Sequence, residues 1–367
     1  MRISYGIFGY GRGHATRSGA VLPELCRRHE VQIFAGGDAY DALFTRYPLI
    51  RIPTLGYAYA TGAKRSNYLT LRKNIWNALD ILFGGPVSQS IMKEMQDFRP
   101  DVVISDAEPW THGVARRLGV PRIGFDHFGI MVYCRPDIPW GDRVSSRRDV
   151  FVYRTLMGQP ERVIVSSFYD APTRHSGVRV IGPILRDEVL RMRPRRGSHL
   201  LAYFNKGEHQ YTPHVEYALR KIGLPILVYG VPRCGVDGQL TYRPPSDLPF
   251  LEDMASCRAI ISTAGNQLVG EAMHLGKPLL VTPEDCVEQR LNAAALARLG
   301  IGQQVRHADF SAAVIEEFLA REEEWRENIR RHARDGRSEA LATIEQFITE
   351  LAGGDSPTPA PTEKARS

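Results

Sequence analysis

Short apolar runs alternate with helix-period segments along almost the whole chain. From the N-terminus, Ile3 to Phe8, Glu30 to Ala35 and Ile50 to Pro53 read as strands, with helices from about His14 and near Tyr40 between them. A long helix ending near Phe98 follows, then Asp101 to Ser105, a helix through Leu118, Pro121 to Asp126, and Arg162 to Ser166. Alternation of this kind predicts an α/β architecture with a parallel, doubly wound sheet. After Val178 to Gly182 the pattern stops at GPILRDEVLRMRPRRG, a proline and charged run that reads as a linker. A second series then begins: His199 to Phe204, a helix from about His214, Pro225 to Tyr229, Ala259 to Ser262, Pro278 to Thr282 and Ile301 to Val305. Phe310 to Leu351 reads as helical, with Glu and Arg at i, i+4 spacings. The tail GGDSPTPAPTEKARS (353–367) has too little apolar content to fold and reads as disordered.

At 367 residues the chain accommodates two domains, each with its own core. Composition narrows the class rather than the fold. The chain is 43% hydrophobic and 24% charged, with no uninterrupted apolar stretch near the ~20 residues a membrane span needs. The start, MRISYGIFGYGRGH, lacks the basic and then continuously apolar regions of a signal peptide. Cys26, Cys134, Cys234, Cys257 and Cys286 are scattered without CxxC pairing, so neither a disulfide framework nor a zinc site is expected and a reducing cytoplasm fits, at most at the inner face of a membrane. The net charge of +6 suits anionic small molecules or a phospholipid headgroup layer. Nucleic acid is not expected, because no basic helix with interleaved aromatics appears.

The most specific chemistry lies between Phe250 and Ala293. The strand Ala259 to Ser262 ends in a small-residue turn, Thr263, Ala264 and Gly265, and Asn266 opens a helix. Free N–H groups at such a helix start attract anions. Glu271 lies about one and a half turns further on, where a carboxylate can accept ribose hydroxyls. Strand and helix alone fit an ordinary βα unit equally well. Gly276, Pro278 and Pro283 follow, and Glu288, Gln289, Asn292 and Ala293 open the next helix.

With these residues the chain resembles GT-B glycosyltransferases, particularly the plant-type UDP-glycosyltransferases and the family that adds N-acetylglucosamine to lipid I. The resemblance implies two Rossmann-like domains facing a cleft: residues 1–183 for the acceptor, residues 184–334 for the donor, and a last helix, about 335–352, crossing back to the first. It implies that Gly265 receives the pyrophosphate, Glu271 the ribose, and Glu288 and Gln289 the sugar hydroxyls. In PFLEDM, Phe250 takes the nucleobase position and Met254 is grouped with it, with packing in the core as the other reading of the phenylalanine. Plant-type enzymes carry a histidine where this chain has Thr263, and an asparagine-serine pair where it has Gln267 and Leu268. Phosphate contacts therefore fall to Thr263 and to backbone amides from Ala264 to Gln267. One inserted residue between Pro283 and Gln289 loosens the sugar contacts.

FGYGRGHATR (Phe8 to Arg17) follows the first strand but fits a dinucleotide fingerprint poorly, since His14 stands where the third glycine belongs. A loop bringing backbone (Gly11, Arg12, Gly13) close to an acceptor, with His14 at the helix start, reads better. The resembled enzymes place a catalytic base there and an orienting aspartate at a strand end, where this chain has Asp106. The competing reading is that His14 steadies the loop and Asp106 starts a helix. Histidine ordinarily titrates near ~6.5, so His14 can take a proton from an acceptor hydroxyl while Asp106 stabilises the imidazolium. Attack opposite the nucleotide inverts the anomeric carbon. Retaining relatives carry a glutamate at the Thr263 position, which argues for inversion.

No DxD-like metal site is evident, so leaving-group charge is assigned to helix amides and to Arg12, Arg17, Arg186 or Lys206. His127 in FDHFG ends a strand and is a candidate for the acceptor side, or for a capping duty. Residues 57–86 place Ile75, Trp76, Leu79, Leu82 and Phe83 at helical spacing. Such a stripe is either core or, partly exposed with its basic neighbours, a lip for a lipid-linked acceptor at a membrane face. A small-molecule acceptor fits as well. The leading expectation is an inverting, metal-independent glycosyltransferase using a nucleoside-diphosphate sugar, a UDP-sugar first, and no cofactor. A sugar-nucleotide epimerase or hydrolase on the same fold and a catalytically silent nucleotide-sugar binding protein remain as alternatives.

Overall fold

A computed structural model describes residues 1–58, 66–204, 207–244 and 248–353; the expectations placed on Lys206 and on the tail from residue 354 lie outside them. The chain forms two seven-stranded sheets. The first contains β1 (Arg2–Ile7), β2 (Glu30–Ala35), β3 (Leu49–Arg51), β4 (Val102–Asp106), β5 (Arg122–Asp126), β6 (Arg162–Ser166) and β7 (Val178–Ile181). The second contains β8 (Leu200–Tyr203), β9 (Ile226–Tyr229), β10 (Gly235–Asp237), β11 (Leu240–Arg243), β12 (Ala259–Ser262), β13 (Leu279–Val281) and β14 (Gly302–Gln304). Their orders are β3-β2-β1-β4-β5-β6-β7 and β10-β11-β9-β8-β12-β13-β14. Every pairing is parallel except β10 with β11.

Both sheets are doubly wound, as the alternation predicts. Their strand order reverses at β1/β4 and at β8/β12, where crossover helices leave for opposite faces and open a crevice at the carboxyl ends of the strands. Register brings the critical ends together: Ile7 lies beside Asp106, and Tyr203 beside Ser262.

The structure also departs from the pattern reading. The long helix ending near Phe98 is two helices, Asn67–Phe83 and Pro86–Phe98, because Gly84 adopts a left-handed cap (φ 80) and Pro86 restarts the chain. Helices Gly129–Tyr133 and Arg143–Met157 and the short hairpin of β10 and β11 have no counterpart in the sequence reading. The terminal helical stretch is three helices, Ala312–Ala320, Glu322–His332 and Arg337–Ala352.

Arg337–Ala352 packs on the first sheet: Ala340, Ile344, Phe347 and Ile348 join its core beside Leu22 and Ile164. Glu345 meets His29 at 3.0 Å and Glu350 meets Arg162 at 2.8 Å. The two chain passages between the halves touch. Gly336 N–H donates to the Pro183 carbonyl at 2.9 Å, and a Cβ on Gly336 would lie 2.2 Å from the Gly182 carbonyl oxygen. An apolar cluster runs unbroken from Ile130, Val165 and Phe168 into Ala264, Val269 and Leu291, joining the halves below the crevice.

Candidate functional site

The crevice is a cleft of about 1400 Å³ lined from both halves. On one wall, β1 ends in Phe8 and a loop leads into the helix Arg12–Arg28. Gly9 lies so close to the neighbouring loop that a Cβ would fall 2.3 Å from the Gly36 carbonyl oxygen. Gly11 has φ 84, a conformation that favours glycine, and its N–H donates to Asp38 at 2.8 Å. The Gly13 Cα faces Gln267 of the other half. The alternating glycines thus shape a tight loop; Gly11, Arg12 and Gly13 line the cleft.

His14 and Asp106 meet as a pair. His14 Nδ1 lies 2.7 Å from Asp106 Oδ1, and the imidazole edge rests on Phe8 with ring centroids 5.2 Å apart. The His14 side chain is 23% exposed toward the cleft, whereas Asp106 is fully buried. Arg17, one helical turn after His14, is a third member that the sequence reading placed among the leaving-group cations. Instead it is buried beneath the pair: Nε donates to Asp106 Oδ2 at 3.1 Å and Nη2 pairs with Oδ1. Ser18 donates to Oδ2 at 3.0 Å, and Tyr5 donates in turn to Ser18 at 3.3 Å. Burial pushes the Asp106 carboxyl up, but the Arg17 guanidinium, together with the contact to His14, outweighs it and holds the group below the usual carboxylate range.

Arg17 Nη2 also lies 3.1 Å from His14 Nδ1. A guanidinium only donates and a carboxylate only accepts, so Nδ1 cannot satisfy both in one protonation state. The shorter contact, to Asp106, assigns the proton to Nδ1 and leaves Nε2 with a free lone pair. Ala107, immediately after the aspartate, is a non-glycine residue at φ 52 lining the cleft, a local strain of the sort found at functional sites. Ser105 and Glu108 tie down the turn, and Glu108 accepts from the N–H groups of Trp110 (3.0 Å) and Thr111 (2.7 Å). Burial raises the Glu108 carboxyl to about 7, against the pull of those amides.

The opposite wall is built around β12. Thr263 and Gly265 line the cleft, and the helix Asn266–His274 starts with no side-chain cap, leaving its first-turn amides to the cleft. A Cβ on Gly265 would meet nothing within 4 Å, and its φ of −70 suits any residue. Neither packing nor backbone requires glycine there. Glu271 is 2% exposed; its carboxylate takes a fork from Arg186 at 3.0 and 3.1 Å and a third bond from Gln267 at 3.0 Å. Arg186, read as a candidate for leaving-group charge, is therefore engaged at the ribose candidate. Arg12 lies near Tyr203 across the cleft. Phe250 packs between Tyr203 (5.2 Å) and Tyr229 (5.1 Å) and still lines the cleft.

Several expected donor residues sit elsewhere. Met254, one turn after Phe250, is fully buried in the core and does not line the cleft. The Ala264 N–H donates to Gln289 Oε1 at 3.1 Å, so this amide is taken, and the same oxygen accepts from Glu284 N–H at 3.0 Å. Asn266 lines the cleft but turns its side-chain amide to the first half, accepting from Phe168 N–H and donating to the Ser166 carbonyl, both at 3.1 Å. Glu288 and Gln289 do line the cleft. His127 bridges the halves: Nδ1 lies 2.9 Å from the Ser166 carbonyl and Nε2 2.8 Å from Asn292 Oδ1. Both its nitrogens are thus occupied at the seam, and the residue also lines the cleft. Arg290 makes a second bridge, to Asp142 at 2.8 Å, which sequence spacing could not signal. Among the described residues, no group of three or more His, Cys, Asp or Glu side chains is arranged to hold a metal ion.

The family described as Glycosyl transferase family 1 matches residues 1–322. A protein described as an uncharacterized glycosyltransferase from Methanosarcina acetivorans is 23% identical over 386 residues, covering 96% of this chain and 99% of its own. Among solved structures, UGT2 of Phytolacca americana, complexed with UDP-2-fluoro-glucose and pterostilbene, is similar with a TM-score of 0.64 at 15% identity, over 96% of this chain and 99% of that one. MurG of Acinetobacter baumannii is similar with a TM-score of 0.59 at 17% identity, over 94% and 99%.

Proposed function

Because this chain belongs to glycosyl transferase family 1, and is a glycosyltransferase with the GT-B fold, we propose that it inverts the anomeric carbon of a UDP-sugar with His14 as the general base. One observation carries the reading: a pre-assembled His14–Asp106 pair and an uncapped helix start with Gly265 and Glu271 line the same cleft from opposite walls. The helix-start amides from Gly265 onward receive the pyrophosphate, and the open space at Gly265 admits it. Glu271 accepts the ribose hydroxyls, with Arg186 retaining one carboxylate oxygen or moving to a phosphate. Phe250 and its tyrosine neighbours flank the nucleobase. Glu288 and the free amide group of Gln289 face the sugar.

His14 Nε2 takes the proton of the acceptor hydroxyl as its oxygen bonds to the anomeric carbon and the bond to the UDP oxygen breaks. The proton then resides on the imidazolium, which Asp106 stabilises through Nδ1–H. Charge on the departing diphosphate is met by the helix amides and Arg12, without a metal ion. Proton transfer by a positioned group is worth about 10²–10⁴-fold.

A thermal-shift screen of UDP, dTDP and GDP and their sugars, run on wild type and Glu271→Ala, tests the donor half. At 100 times its Kd a ligand adds about 2.7 kcal/mol of stability. Stabilisation by UDP that disappears in the variant is the expected result; the same response in both proteins would sink the donor assignment. Product stereochemistry by NMR, with and without EDTA, then tests inversion and metal independence.

A further inference from the structure

The helices Asn67–Phe83 and Arg143–Met157 pack against each other beside the His14 side of the cleft, and each turns an apolar face outward. Tyr68, Trp76 and Phe83, with Arg72 between them, recur at helical spacing on the first; Val144 and Phe151 do so on the second, with Arg148 between them. Trp76 and Phe83 are 78% and 79% exposed, Phe151 69%, and Trp140, just before the second helix, 71%. Eight of the fourteen exposed large apolar side chains among the described residues belong to these two helices and Trp140. Scattered surface apolar residues need no explanation, but a concentration of aromatics does.

Charge says what covers it. Arg72, Lys73, Arg143 and Arg147 lie on or beside these faces and form no ion pair among the described residues. The nearby acids are consumed: Asp80 by Val87, Ser88 and Trp110, Asp149 by Arg148, and Asp142 by Arg290. The face therefore presents aromatic rings among uncompensated cations, the pairing suited to the interfacial layer of a membrane. No helix of the described residues is long and apolar enough to cross one, so contact is at the surface.

We infer that this two-helix face docks the protein on an anionic lipid surface. Leu71 and Val152, 60% and 49% exposed, belong both to the outward face and to the cleft lining, so the apolar wall continues from the lipid into the chamber beside His14. On the glycosyltransferase reading, an acceptor with an apolar body enters from the bilayer with its hydroxyl foremost. The docking itself does not depend on that reading.

The protein carries its own reporter. Trp110 and Trp325 are buried, so the environment-sensitive emission comes from Trp76 and Trp140. With phosphatidylcholine vesicles containing phosphatidylglycerol, the protein should sediment and its emission shift to the blue; pure phosphatidylcholine or high salt should weaken binding at least tenfold. Phe83→Asp with Phe151→Asp, and separately Arg72→Glu with Arg147→Glu, should each reduce binding at least tenfold while the UDP thermal shift stays at its wild-type value. No sedimentation at low salt, undiminished binding by both variants, or a concentration-dependent dimer abolished by the same substitutions would overturn the inference, the last by assigning the face to a second copy. Vesicle binding without any UDP response would uphold docking and fail the donor assignment instead.

Discussion

On the first-half wall of the cleft, Asp106 has no spare capacity: His14, Arg17 and Ser18 hold its two oxygens and it is wholly buried. On the second-half wall the helix start has no cap and Gly265 borders empty space. One wall is organised before any ligand arrives, the other by what is left open. A group that must hold a proton at one atom needs fixed partners, since a misplaced base loses most of its effect. A surface that must receive a diphosphate needs unpaired donors, since each internal partner would have to be displaced. The Glu271–Arg186 fork is the intermediate case, a satisfied pair that still lines the cleft.

The largest break in this comparison comes from removing the proposed base. His14→Ala is expected to lower kcat by about 10²–10⁴-fold while leaving the UDP thermal shift intact, measured as UDP release with the acceptor the wild type uses. Loss of donor binding in that variant would show the two walls to be one unit. Next is Arg17→Met, which leaves Asp106 buried without its cation and should cost about 3–5 kcal/mol in urea unfolding. In the surviving native fraction the uncompensated aspartate favours the imidazolium, so the acid limb of the kcat/KM profile moves to higher pH. An unmoved limb would leave Arg17 a purely structural ion. Gly265→Val should keep stability within about 0.5 kcal/mol, because the site is roomy and its backbone ordinary, yet weaken UDP binding at least tenfold. Equal affinity would take the diphosphate away from that turn.

The smallest effect sharpens the scaffold under the first wall. The Glu108 carboxyl is raised to about 7 from 4.5, so the folded state holds a proton that the unfolded chain has released between those values. Its stabilising contribution is complete below pH 4.5 and fades as pH rises through 7. Glu108→Gln should therefore flatten the fall in Tm across that window by a few degrees relative to wild type. His112, pushed down to about 3 by burial, acts in the opposite direction over the acid part of the range and is common to both proteins. A wild-type slope retained in the variant would remove Glu108 as its source.

How much of this could be read from the chain depends on sequence distance. Glu30–Ala35, Arg162–Ser166 and Ala259–Ser262 keep the bounds read from the sequence, because each carries a contiguous buried apolar stretch, Ile33 to Ala35, Val163 to Val165 and Ala259 to Ile261, of the kind parallel strands require. Gly84, Gly85 and Pro86 carried a legible stop that the periodicity of the flanking helices overrode. Phe250 and Met254 are one helical turn apart, yet Phe250, held between Tyr203 of β8 and Tyr229 of β9, reaches the cleft while Met254 enters the core. The placements hardest to foresee join residues with no local pattern between them: Arg17 with Asp106, 89 residues apart, and His127 with Asn292, 165 apart. A buried arginine in a helix looks, in sequence, like any surface arginine.

The contact between Gly182 and Gly336 brings the two passages of the chain onto one line. Two connections far apart would brace the halves as a rigid frame, and a single one would leave them free to wander. Two that touch act as the pin of a door. Sliding one half past the other would break the Gly336 N–H bond to the Pro183 carbonyl, whereas swinging about it leaves that bond in place. Any swing about that line would have to part His127 from Asn292 and Arg290 from Asp142.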